Sequence, residues 1–205
     1  MTIKEKFENI GPFKCVLMFG PPGCGKGTVS KSLAMASGHT HLSTGDIFRG
    51  LSVDTELGAL FKKYADKGDL VPDDVTVDIW YDYVKGLIEA NKFDPKTQYL
   101  ILDGLPRTLK QAALLEKYVK IEKIVLLHMD DMDKLIERLK LRAEIEGRAD
   151  DLNEEVLRNR MRIYLQDTKK LLSHYDENLI IKINADQKKL EVFRDVLINI
   201  CNVLA

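Results

Sequence analysis

Gly20-Pro-Pro-Gly-Cys-Gly-Lys26-Gly-Thr28 is the stretch that decides the fold. The apolar run Lys14-Cys-Val-Leu-Met-Phe19, of strand length, precedes it. Helix formers from Val29 to Ala36 follow, closing at Ser37-Gly38, a plausible C-terminal stop. Strand, glycine-rich turn and helix in succession aim backbone N–H groups inward at a helix N-terminus, which attracts an anion. Lys26 adds a point charge of the kind that meets β- and γ-phosphates. Gly20-x4-Gly25-Lys26 fits the general phosphate-binding loop with one departure. The Ser or Thr usual directly after the lysine is Gly27, and the hydroxyl arrives at Thr28.

At 205 residues the chain can form one domain with a substantial core or two small ones. Charged residues make up 31% at a net charge of -1, which points away from nucleic acid as a partner. No apolar run approaches the roughly 18–20 residues of a membrane span. The N-terminal Met1-Thr-Ile-Lys-Glu-Lys-Phe-Glu8 reads as neither signal nor transit peptide, and Thr2 stands where myristoylation needs glycine. A reducing cytosol is the expected compartment. Cys15, Cys24 and Cys201 have no metal-ligand spacing. Cys15 and Cys201 are expected in the core, and Cys24 as a somewhat reactive thiol at a helix N-terminus.

Beyond the loop, Thr40-His41-Leu42 reads as a short strand, and Ser43-Thr44-Gly45-Asp46-Ile47-Phe48-Arg49 as the capped start of a helix to about Leu51. Leu57, Leu60, Phe61 and Tyr64 recur with helical period over Thr55 to Lys67, and Gly68-Asp-Leu-Val-Pro72 breaks that helix. A long helix from Asp73 or Asp74 to about Ala90 carries Trp80 and Tyr81 as packing residues. Tyr99 to Asp103 is a strand, followed by a helix from Thr108 to about Tyr118 and a strand from Lys123 to His128. A helix from Asp131 to Leu141 is interrupted by Glu144 to Asp151, and another runs from Asn153 to about His174. Leu179 to Ile183 is the last strand and Leu190 to Leu204 the last helix. This alternation predicts an α/β fold: a five-stranded parallel sheet with helices on both faces and a ligand at the C-terminal strand ends. Asp103 falls at such an end, where a carboxylate can organise magnesium.

Taken together, Gly20 to Thr28, Leu42-Ser-Thr-Gly-Asp-Ile-Phe-Arg49, Gly68-Asp-Leu-Val71 and Asp103-Gly-Leu-Pro-Arg-Thr108 with Gln111 resemble the adenylate kinases. Arg138-x3-Arg142, Gly147-Arg-Ala-Asp-Asp151 and Arg158-Asn-Arg160 complete the resemblance, in the family's order, from residue 14 to about 187. It implies a P-loop NTPase-type sheet in a single domain with two small mobile lids: about 43–72 over AMP and about 142–152 over ATP. The reaction implied is reversible transfer from MgATP to AMP. On ATP the resemblance places Gly23, Cys24, Gly25, Lys26, Gly27, Thr28, Arg138 (stacked on the adenine), Arg148 and Gln187, the last through its backbone. On AMP it places Thr44, Arg49, Leu70, Val71, Gly104, Arg107, Gln111, Arg148 and Arg160. Lys26, Arg107, Arg142, Arg148 and Arg160 surround the transferring phosphoryl, and Asp103 with Thr28 holds Mg2+ through water. The short second lid, without cysteines, implies no structural zinc, and the family habit is a monomer acting on nucleotides.

Two departures stand out. Leu105 replaces a common Phe, a packing change, and one extra residue between Asp151 and Arg160 leaves the register of Arg158 against Arg160 open. The Tyr164-x-x-Asp-Thr168 pattern favours Arg160. The chemistry agrees with the resemblance independently. An AMP phosphate oxygen is ionised at neutral pH and needs no base. His39, His41, His128 and His174 find no partner in the sequence and read as packed or solvated. A uridylate–cytidylate kinase is disfavoured by Thr44, Thr108 and Gln111, whereas a GTP:AMP phosphotransferase is not strongly excluded. An inactive nucleotide-binding adaptor is disfavoured because Lys26, Arg107 and Arg142 are all present.

Overall fold

The computed structural model describes residues 12–148 and 151–205, so the N-terminal stretch read above, and Ala149 and Asp150 of the Gly147–Asp151 motif, lie outside the described residues. Five parallel strands form one sheet: β1 (Phe13–Phe19), β2 (Thr40–Ser43), β3 (Leu100–Asp103), β4 (Val119–His128) and β5 (Ile180–Asn184), in the spatial order β2-β3-β1-β4-β5. The helices are α1 (Lys26–Ser37), α2 (Thr44–Arg49), α3 (Glu56–Ala65), α4 (Asp73–Glu89), α5 (Leu109–Leu115), α6 (Met132–Glu146), α7 (Glu154–Ile163), α8 (Lys169–Leu172) and α9 (Lys189–Leu204).

The strands are near-continuous apolar runs because both sheet faces are covered. Side chains alternate across the pleat, so Val16 and Met18 enter one core with Ile101, Val125, Leu127, Leu33 of α1 and Val196 of α9. Cys15 and Leu17 enter the other with Leu100, Leu102, Trp80 of α4 and Leu115 of α5. Trp80 is fully buried, as its packing assignment requires.

Register fixes where the site forms. Asp103 pairs with Met18 on one side and Ser43 on the other, so the chain leaves β1, β2 and β3 side by side at one edge. From β1 the connection runs toward β2, and from β4 toward β5, which opens a crevice between β1 and β4. The loop after β1 sits in that crevice.

Two helices and one cysteine depart from the sequence reading. Helix α6 continues to Glu146 and stops at Gly147, which takes the left-handed conformation at φ 64. The charged run from Glu144 therefore extends the helix, and the interruption begins three residues later, at the C-terminal glycine. The helix expected from Asn153 to His174 is broken after Ile163 by a π-helical turn, Tyr164–Thr168. Cys201 is exposed on α9, while Cys15 is buried as expected. No described helix is long and apolar enough to cross a membrane.

Candidate active site

The loop between β1 and α1 is fixed by sterics before any ligand is considered. Gly23 has φ 85, and a Cβ there would lie 2.6 Å from the Leu135 carbonyl oxygen, so only glycine lets the loop pack against α6. Helix α1 has no side-chain cap and no acidic residue in its first turn. By contrast α2, α3, α5, α6 and α7 are capped by Ser43, Thr55, Thr108, Asp131 and Asn153. The first N–H groups of α1 thus remain for an anion, which the helix dipole favours. Lys26 Nζ meanwhile donates to the Gly20 and Pro21 carbonyls at 2.7 and 3.0 Å.

Cys24 does not carry the reactivity expected of it. The thiol is buried under the loop, and burial raises its pKa against the smaller pull of the Lys26 charge and backbone N–H. A protonated, shielded thiol is a packing group.

A cleft of about 910 Å³ opens at the strand ends. Of the residues expected on ATP or magnesium it is lined by Gly23 to Thr28, Asp103, Arg138, Arg142, Arg148 and Gln187. Arg49, Leu70, Gly104, Arg107 and Arg160 line it too, and they continue into a smaller recess with Thr44, Val71 and Gln111. Every residue expected on ATP, AMP or magnesium therefore lies on one continuous depression. Arg138 and Arg142 project from one face of α6, as their spacing requires. Among the histidines, His174 instead pairs with Glu116 at 2.9 Å and His39 with the Leu204 carbonyl at 2.9 Å. Neither residue lines the cleft.

Arg142, Arg160, Arg49 and Arg148 are held by carboxylates. Asp151, 0% exposed, bridges two guanidiniums: Arg142 donates to Oδ2, with Nε at 3.0 Å, and Arg160 donates to Oδ1. The two arginines left open by the sequence are placed differently. Arg160 turns into the cleft, whereas Arg158 pairs with Glu154 at 2.9 Å on the exposed side of α7. Asp46 receives Arg49 at 2.5 Å and Arg148 at 3.5 Å, and Arg148 also meets Glu146 at 2.6 Å. Partial burial works to raise the Asp46 pKa, but the hydrogen bond and charge of Arg49, with Lys31 and Arg148, outweigh it and the net shift is downward.

Arg107 donates through Nε to the Gly104 carbonyl at 2.8 Å. Surrounding protein, then Arg160 and Arg49, lower its pKa to about 10, with Asp103 opposing. Its surface stays open to cleft water, which tempers that burial, and it is cationic at neutral pH.

The recess is built from buried polar groups. Thr44, 3% exposed, donates through Oγ1 to the Asp103 carbonyl at 3.0 Å. Gln111, 2% exposed, accepts at Oε1 from the Arg107 N–H at 2.7 Å. Its NH2 end is thereby left for a ligand. A Cβ at Gly27 would lie 3.5 Å from Asp103 Oδ2, which puts that carboxylate against the loop beside Thr28.

Sequence reasoning assigned no role to Asp46, Asp151, Leu141, Ile145 or Leu190. Asp46 and Asp151 stood inside quoted motifs, but which arginines each would meet depends on long-range packing. The three apolar residues line the cleft while mostly exposed, Ile145 at 74% and Leu190 at 77%, and periodicity marks such positions only as surface.

Comparison with known proteins shows the family. The family model described as "Adenylate kinase" matches residues 18–180. An adenylate kinase of Flavobacterium psychrophilum is 40% identical over 169 residues, covering 80% of this chain and 85% of the relative. That of Nocardia farcinica is 40% identical over 176 residues, covering 82% and 89%. That of Thermus thermophilus is 35% identical over 175 residues, covering 82% and 87%. A phosphate loop uncapped at its helix, a ring of arginines and a buried polar recess, in a chain matched over this length, admit one conclusion: the chain belongs to the adenylate kinase family.

Proposed function

We propose the following division of labour for the family reaction, in which MgATP and AMP give two ADP reversibly. The loop amides and Lys26 take the ATP phosphates, Arg138 stacks on the ATP base, and the Gln187 segment meets that base. Arg49 and Arg107 take the AMP phosphate, while Thr44, Leu70, Val71, Gly104 and Gln111 take its nucleoside. An ionised oxygen of the AMP phosphate attacks the γ-phosphorus. The new P–O bond forms as the bond to the bridging oxygen of ATP breaks, and the electron pair leaves with the β-phosphate of ADP. No general base is required.

What this transfer needs is positive charge around the equatorial oxygens, in-line placement and exclusion of water. The observation that carries the reading is the convergence of Lys26 with Arg107, Arg142, Arg148 and Arg160 on one cleft at the strand ends. Lys26 exchanges two neutral carbonyl partners for phosphate oxygens, so that both partners of the bond are charged. Asp151 holds Arg142 and Arg160 toward the same region before substrate arrives.

Magnesium neutralises phosphate charge when it enters with ATP. Asp103 and Thr28 are the residues that would hold it, through water, and a carboxylate beside a hydroxyl at the phosphate loop suits a hard cation. Among the described residues no group of three His, Cys, Asp or Glu is placed to hold a metal. Segments 43–72 and 142–152 act as lids over AMP and ATP. Asn159 of α7, which donates to the Lys67 carbonyl and Asp69 Oδ1 at 2.9 Å each, ties the AMP side to the helix that follows the ATP lid. The reading further makes the chain a cytoplasmic monomer working on free nucleotides, which its net charge of -1 favours over a polyanionic partner.

Phosphorus NMR of a mixture of ATP, AMP and magnesium tests the reading. ADP should grow at the expense of both nucleotides in equal amounts, and stop when magnesium is chelated. Release of inorganic phosphate from ATP at the same rate with and without AMP would overturn it.

A further inference from the structure

We propose that Asn159 is a positioning residue for the acceptor: it fastens segment 68–71 to α7, so that the backbone offered to the AMP nucleoside is held in register with Arg160. The inference rests on the phosphotransfer reading above. It makes the tie at Asn159, a residue to which the sequence reading gave no role, a determinant of acceptor affinity.

The side chain of Asn159 is fully engaged. Its Nδ2 donates to the Lys67 carbonyl and to Asp69 Oδ1, each at 2.9 Å. Its Oδ1 accepts from Arg162 Nη2 at 2.6 Å. Two acceptors face the NH2 group and one donor faces the oxygen, so the amide has a single orientation that satisfies all three. The segment also lies close on the helix. A Cβ at Gly68 would sit 2.8 Å from the Val156 carbonyl oxygen and 3.1 Å from Arg160 Cγ.

Asn159 lines neither the cleft nor the recess, whereas Leu70 and Arg160 line both and Val71 lines the recess. It therefore acts through others. The remaining hydrogen bonds of the segment run to the acceptor side itself: the Asp69 N–H donates to the Tyr64 carbonyl at 3.0 Å, and Thr76 Oγ1 of α4 donates to the Val71 carbonyl at 3.3 Å. Arg160 belongs to a different body, α7, where Asp151 joins it to Arg142 of α6. AMP must meet both bodies at once. A clamp that fixes their separation beforehand removes an ordering cost from binding. The donor slot, built on α6 and α9, has no contact with the clamp.

A two-residue cycle tests this, with steady-state kinetics and with AMP binding read by calorimetry. Asn159→Asp turns the donor into an acceptor that faces a carbonyl and a carboxylate. It should raise the KM for AMP by about tenfold, with the KM for ATP within about twofold and kcat within about threefold. Asp69→Asn still accepts from Asn159 and should change the KM for AMP by no more than about twofold. In the double variant the amide at position 69 donates to the carboxylate at position 159, which reverses the bond. The KM for AMP should return to within about threefold of wild type. The rescue is read between two variants that share Asn159→Asp, so any loss of stability from that substitution cancels. A double variant no better than Asn159→Asp would overturn the proposal, as would a fall in kcat or in ATP affinity equal to the change for AMP. A wild type that makes no ADP from ATP and AMP would instead sink the phosphotransfer reading, and the proposal with it.

Discussion

The halves of the cleft proposed for acceptor and donor are built on different physical plans. On the acceptor side Thr44 and Gln111 are buried and already hydrogen-bonded to the backbone at Asp103 and Arg107. On the donor side the apolar walls Leu141, Ile145 and Leu190 are largely exposed, and Lys26 rests on its own loop carbonyls. A wrong base in the recess leaves buried polar groups unpaired, at a cost of ~1–3 kcal/mol for each. A wrong base in the open slot loses at most the contact with the Gln187 segment. The acceptor should therefore be chosen more stringently than the donor, and the donor half should contribute mainly charge.

Three substitutions probe that division, beginning with the largest effect. Lys26→Ala should lower kcat by about a thousandfold with the thermal midpoint little changed, since its hydrogen bonds stay within its own loop. Steady-state kinetics with both substrates saturating measures this, and a near-normal kcat would remove the lysine from the reaction. Arg107→Ala should reduce kcat/KM for AMP by about a hundredfold while ATP affinity, read by calorimetry, stays within about threefold. An effect confined to ATP would show that the two halves are drawn in the wrong places. Gln111→Leu should raise the KM for AMP by about tenfold and leave that for ATP alone, the smallest of the three changes. Equal effects on both substrates would dissolve the distinction between a reading recess and a permissive slot.

The comparison also explains what could be read in advance. Gly20 to Thr28, the strand that precedes them and Asp103 are local signals, in which spacing alone forces a turn, a helix start or a strand end. Thr44 and Gln111 are legible only through the resemblance, whose motifs keep the family's order along the chain. Asp151 was opaque for a different reason. Nothing in its neighbourhood says that it will be fully buried between Arg142 of α6 and Arg160 of α7, because that follows from how two helices pack. The same packing separates Arg160 from Arg158, which sequence alone left open. The sequence reading interrupts helix α6 from Glu144, yet charged residues are good helix formers and the true stop is Gly147. The π-helical turn at Tyr164–Thr168 has no compositional mark and came as a finding of the structure.

The central claim is that selection lies with the acceptor, and one panel measures it. With ATP as donor, kcat/KM is determined for AMP, UMP and CMP; with AMP as acceptor, it is determined for ATP, GTP and UTP. The account predicts that AMP leads the first series by about a hundredfold or more, the cost of two unpaired buried groups, and that the second series spreads over about tenfold. UMP or CMP turned over faster than AMP, or a donor series wider than the acceptor series, would contradict it.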